Sequence, residues 1–241
     1  MSKKTAADLN PIQDLMKEGK YDEARPLLQD YLKHKPDDPL ALRLYGNTYA
    51  YTGFLGKAKK IWKDAIRKFP DNIDLLYNYA LAFYLQGDLE TAYRYWKRAL
   101  ALNGKDSEIL FSLGQVARDR GMLRRAVSWW KKALQIDPSN VETMNNIGTA
   151  FASLGMFGKA ALWYEKALAE DPDYALAHLN LANAKFELHQ FDEASAHAEK
   201  AAQLDPSSHL EASETLIRKV KAARPPAPAP KPEAPKAEAP K

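Results

Sequence analysis

Asp71–Gly104, DNIDLLYNYALAFYLQGDLETAYRYWKRALALNG, reads as two amphipathic helices joined by a turn. Leu75, Leu76, Tyr79, Ala80 and Phe83 fall on one helical face, the spacing of a helix buried on one side. Gly87-Asp88 then interrupts the pattern as turns do. Leu89, Ala92, Trp96, Ala99 and Leu100 form the apolar face of a second helix that Gly104 closes.

The same unit recurs every 34 residues in both directions. Gly46, Ala80, Gly114, Gly148 and Ala182 form one column of small residues. Ala58, Ala92, Ala126, Ala160 and Ala194 form a second, and Ala65, Ala99, Ala133, Ala167 and Ala201 a third. Gly and Ala supply only 49 of 241 residues, so three unbroken columns are not a product of composition. Gly53, Gly87, Gly121 and Gly155 mark the turn inside a unit, and Pro36, Pro70, Pro138, Pro172 and Pro206 end its second helix, because proline cannot continue one. Such a period implies stacked units, none able to bury its apolar face alone. Small residues belong where two helices cross at close range, and Trp62, Trp96, Trp130 and Tyr164 are expected to fill the core beside them.

These columns resemble the tetratricopeptide repeat (TPR) family, over roughly residues 6–208. The resemblance implies an all-α fold, a right-handed superhelical solenoid of antiparallel helix pairs. It further implies a non-catalytic protein whose first helices line a concave groove for extended peptides or partner helices. Six units are expected, at about 5–38, 39–72, 73–106, 107–140, 141–174 and 175–208. Residues 1–10 are expected to be a flexible N-terminus ahead of a solenoid over 11–208. In the first unit, Ile12 and Tyr31 replace the expected small residues, and Asn10-Pro11 reads as an N-cap followed by the first helical residue. Ser207 and Ser208 open a capping helix over 209–223, whose Leu210, Leu216, Ile217 and Val220 face the last repeat while Glu211, Glu214, Arg218 and Lys221 face water. Residues 224–241 hold too much proline for helix or sheet and are expected to be a disordered arm. Its PxxP spacings are read as a spacer in preference to a recognition motif.

The formal charge of +4 is concentrated at the C-terminal end, from Arg218 onward. Arg218–Lys241 carries seven basic and two acidic residues, leaving the rest of the chain near neutrality. A nucleic-acid binder carries its basic residues on the folded surface, so RNA is not the expected partner. Segments such as Tyr95-Trp-Lys-Arg98 and Trp129-Trp-Lys-Lys132 do interleave aromatic and basic residues like half-a-TPR repeats, but their aromatics are assigned to the core columns. There is no cysteine, which excludes disulfides and thiolate chemistry. No secretory h-region or run of membrane-spanning length occurs, so a cytoplasmic location is expected. Motifs of hydrolases, phosphate-binding loops and metal sites are missing. No enzyme activity, cofactor or metal is expected, although His178 and His197 fall within reach of each other across the last helix pair.

The groove is therefore the candidate site. Residues two before each crossing point, Leu44, Asn78, Ser112, Asn146 and Asn180, are expected to face it, as are Asn47, Leu81, Gln115, Thr149 and Asn183 one residue after. Carboxamides both donate and accept, so an asparagine ladder suits a peptide backbone. Arg43, Tyr51, Tyr77, Tyr84, Phe111, Arg118 and Phe186 are placed around it. Among TPR proteins, those that clamp the terminal carboxylate of chaperones use a basic residue, two asparagines and two further basic residues. Arg43, Asn47 and Asn78 match the first three, but Glu108 and Ser112 stand where the last two belong. The expected partner is a protein or peptide held in the groove, with self-assembly as the alternative role.

Overall fold

The computed structural model describes residues 8–223, and the expectations for residues 1–7 and 224–241 lie outside them. Thirteen α-helices form among the described residues. They are α1 (Asn10–Lys17), α2 (Tyr21–His34), α3 (Pro39–Tyr51), α4 (Leu55–Lys68), α5 (Ile73–Tyr84), α6 (Leu89–Leu102) and α7 (Ser107–Asp119). The series continues with α8 (Leu123–Leu134), α9 (Val141–Ser153), α10 (Phe157–Glu170), α11 (Ala175–Glu187), α12 (Phe191–Leu204) and α13 (Pro206–Ala223). Each helix packs on its sequence neighbours, and first helices also meet across units, as α3 meets α5 and α9 meets α11. The result is an all-helical solenoid. None of these helices is long and apolar enough to cross a membrane.

Local chemistry sets the helix boundaries. Asp38, Asn72, Asp106 and Asn140, again 34 residues apart, cap α3, α5, α7 and α9 by accepting from backbone N–H groups of the first turn. Each such cap contributes about 1 kcal/mol. Between the helices of a pair the chain turns through a left-handed residue: Gly19, Gly53, Gly87, Gly121 and Gly155 have φ between 71 and 85°, a region open to glycine without steric cost. In the last pair His189 takes that place at φ 60°.

The small-residue columns are core. Ala58, Ala92, Ala126, Ala160 and Ala194 have no exposed surface. Trp62, Trp96, Trp130 and Tyr164 are buried beside them. A Cβ added to Gly46, Gly114 or Gly148 would lie 2.0, 2.2 or 2.5 Å from Trp62, Trp130 or Tyr164 respectively, so the ring occupies the space a side chain would need. Over Gly46 and Gly114 the indole Nε1 donates to a first-helix carbonyl, Trp62 to Arg43 and Trp130 to Phe111. Ile12 and Tyr31 of the first unit are buried as well, and the Tyr31 hydroxyl donates to Asp38.

Two helix starts and one helix face differ from expectation. The first helix starts at Asn10 with Leu9 as its N-cap, and the Asn10 side chain donates to Asp8 instead of capping. Residues 8–10 are thus part of an ordered start. The last helix begins at Pro206, where Asp205 accepts from the Ser207 hydroxyl and the Ser208 N–H. Hydrogen bonding from the Ser207 side chain, and then from Ser208, holds the Asp205 carboxyl down at about 2. Within α13, Leu216 and Val220 are buried but Leu210 is 47% exposed, so the covering face runs through Ser213, Leu216 and Val220.

Candidate functional site

Two adjoining cavities open on the face made by the first helices. One, of about 260 Å³, is lined by Arg43, Asn47, Tyr51, Tyr77 and Asn78, with Asp74, Asp106 and Glu108 among its acidic neighbours. The other, of about 360 Å³, is lined by Tyr77, Leu81, Tyr84, Phe111, Ser112 and Gln115, by Trp96 of α6, and by Glu108, Asp137 and Glu142. Tyr77 and Glu108 border both. Ten sequence-expected positions thus meet at the junction of α3, α5 and α7: Arg43, Asn47, Tyr51, Tyr77, Asn78, Leu81, Tyr84, Phe111, Ser112 and Gln115. A third hollow, against the first unit, joins Leu44, Asn47 and Tyr51 to Gln13, Met16 and Tyr21.

Packing fixes the side chains at this junction. The Arg43 guanidinium lies 3.6 Å from Asp74. The Tyr51 ring stacks on Tyr21 with centroids 4.7 Å apart, although Tyr51 itself is 66% exposed. Tyr77 and Tyr84 both lean on the Trp96 ring, with centroids 5.9 and 5.6 Å away. The Tyr84 hydroxyl donates to Asp119, which also pairs with Arg118. Burial raises the Tyr77 phenol well above its ordinary value, and the nearby Glu108 and Asp106 add to the rise while its contact with Ser112 opposes it. Tyr77 is therefore a neutral hydroxyl at physiological pH.

The asparagine ladder does not extend along the whole face. Asn180 donates to the buried Asn145 and so is bound within the scaffold. Asn183 is exposed and donates to the Leu179 carbonyl of its own helix. Asn146 is half-buried. Leu44 and Ser112 are largely covered, and Phe186 packs against the cluster of Ala182, Ala198 and Leu216. Arg118 is half-buried and occupied by Asp119.

Sequence reasoning passed over Asp74 and Glu142 and named Glu108 only as a mismatch to the chaperone clamp. Asp74, Glu108 and Glu142 are 34 residues apart and all in the first turn of a helix, a periodicity that was available. Helix-dipole chemistry explains acids at that position, which masked their convergence on the cavities. The aromatic column at Tyr95, Trp129 and Trp163 also differs from expectation. These rings are half-buried, not core, and lysines or an arginine sit over them: Arg94 on Tyr95, Lys97 and Lys132 on Trp129, Lys131 and Lys166 on Trp163. Among the described residues no group of three or more potential metal ligands occurs.

Comparisons with known proteins agree with this architecture. Models of the tetratricopeptide repeat match residues 12–53, 46–95 and 175–208, and a TPR repeat model matches residues 114–155 and 148–189. No curated protein matches the chain. Among solved structures, the chain is similar to PilF of Pseudomonas aeruginosa at 16% identity, covering 90% of this chain and 96% of that one with a TM-score of 0.75. YrrB, a TPR protein with an unusual peptide-binding site, superposes with a TM-score of 0.64 at 16% identity over 81% of this chain and 97% of its own. MamA of Desulfovibrio magneticus RS-1 gives 0.65 at 18% identity over 70% and 96%. At such identities the solved structures speak for the fold, and the repeat models for the family. With helix pairs at 34-residue spacing, buried Gly/Ala crossings and repeat models matching both halves, this chain belongs to the tetratricopeptide repeat family.

Proposed function

We propose that the protein is a non-catalytic interaction scaffold that holds an extended or helical segment of a partner protein on the first-helix face, at the junction of α3, α5 and α7. The observation carrying this reading is the pair of adjoining cavities whose walls combine aromatic rings with the carboxamides of Asn47 and Asn78. Rings take apolar side chains and amides take main-chain groups, the two demands of a bound peptide. That YrrB is a TPR protein with a peptide-binding site lends the reading support.

The test is capture of partners from native lysate by the full chain and by the Asn47/Tyr51/Asn78→Ala variant. Loss of a partner with the triple variant, at unchanged helix content, is expected. Retention of every partner would place the binding surface elsewhere.

A second reading rests on the second-helix column. Trp129 has a buried Nε1 with no acceptor, lies under Lys97 and Lys132, and lines a hollow with Lys105. Rings and lysines so arranged fit single-stranded RNA. Salt-sensitive RNA binding lost in Trp129→Ala would favour it over the groove.

A further inference from the structure

We infer that the 360 Å³ cavity between α5, α7 and α9 receives the cationic head of a lysine or arginine in the extended partner segment, an inference resting on the groove reading above. The cavity is bounded by the rings of Tyr77, Tyr84, Trp96 and Phe111 and by the carboxylates of Glu108 and Glu142. No basic side chain lines it. Asp137, its third acid, accepts from Ser139 and Asn140, whereas no cation pairs with Glu108 or Glu142 among the described residues. Elsewhere the fold neutralises such acids: Arg43 stands by Asp74, and Lys185 bridges Glu165 and Glu193. Each helix N-terminus offsets only about half a charge, which leaves this cavity negative. Ring faces and carboxylates together are the surroundings an ammonium or guanidinium seeks.

Trp96 supplies an independent observation. Ala80 carries a methyl where its counterparts are Gly46 and Gly114, so the Trp96 indole cannot settle over the first helix as Trp62 and Trp130 do. Its Nε1 is buried without an acceptor, and the residue lines this cavity. A buried unpaired donor costs about 1–3 kcal/mol. A bound segment toward which the indole turns would offer it a main-chain carbonyl beside the site for the cation.

The experiment selects a random dodecapeptide library on the full chain, then measures Kd for the strongest peptide and for its Arg→citrulline or Lys→norleucine form. A basic residue enriched at a fixed position is expected, and its neutral replacement should weaken binding about tenfold at low salt. In Glu108→Gln/Glu142→Gln the charged and neutral peptides should bind alike, which assigns the charge effect to these two acids. Peptides that need Asn47, Tyr51 and Asn78 yet show no basic preference would overturn this inference and leave the groove reading standing. Peptides indifferent to the triple variant, or no selected peptide, would overturn both. Tighter occupancy by a peptide of residues 224–241, or a dimer abolished by the Glu→Gln pair, would replace the partner with the chain's own tail or a second copy.

Discussion

A methyl group on Gly114 would sit 2.2 Å from Trp130 Nε1, well inside contact distance. Gly114→Ala should therefore displace the indole, break its bond to the Phe111 carbonyl and cost about 2–4 kcal/mol. Gly56, on the outside of α4 with nothing within 4 Å of an added Cβ, is the control. There, alanine should be neutral or stabilise by up to about 1 kcal/mol. Urea denaturation of the two variants checks the pair, and equal stabilities would refute the close-packing account. At this scale the sequence was highly legible, because only Gly or Ala satisfies a crossing and the column repeats five times. The consequence of Ala80 was not: which way Trp96 turns, and that its Nε1 is left without an acceptor, depends on three-dimensional contact with Tyr77 and Tyr84.

At the scale of elements, the last helix pair departs from the others. Ala198 stands where the second to fifth units carry Trp or Tyr, and polar groups enter instead. The Nδ1 atoms of His178 and His197 are 2.9 Å apart, and His178 Nε2 lies 3.0 Å from the Pro172 carbonyl. The carbonyl accepts only, so His178 carries its proton on Nε2 and accepts at Nδ1 from His197. Burial, then the His178 and Lys185 charges, lower the His197 pKa, while Glu193 and Glu165 oppose the shift. A histidine with a depressed folded-state value binds more protons unfolded. Its contribution to stability is thus present above about pH 6.5 and declines as the pH falls toward its folded-state value. The thermal midpoint should fall between pH 7 and pH 5, less steeply in His197→Gln, and NMR should find His197 titrating below about 6.5. A higher midpoint would refute the assignment. The proximity of the two histidines was legible from helical spacing. The tautomers were not, since they depend on the Pro172 carbonyl, six residues upstream of His178.

On the scale of the whole molecule, every helix leans on its neighbours in order, so stability should pass along the array from unit to unit. Few contacts join distant parts of the chain directly, and α13 closes the stack by packing on α12 and α11. Leu216 and Val220 are its buried anchors, and Leu216, with Ile217 and Phe186, packs against Ala182 and Ala198, two small residues that alone could not fill the end of the core. The sequence disclosed this cap by its one-sided apolar pattern, though it assigned Leu210 to the wrong face, where one helical turn near an end decides little. Val220→Asp would bury a charge in that interface, a loss of about 3 kcal/mol or more. The expected effect is local. Amide exchange should accelerate through α11, α12 and α13 while α3 to α6, about a hundred residues away in the stack, retain their protection. Binding at the α3, α5 and α7 junction should survive the substitution for the same reason. Protection lost evenly from α1 to α13 would mean that the solenoid unfolds as one unit, and the neighbour-by-neighbour account would fail. Loss confined to the last pair would instead make the C-terminal units separable in stability from the units that form the cavities.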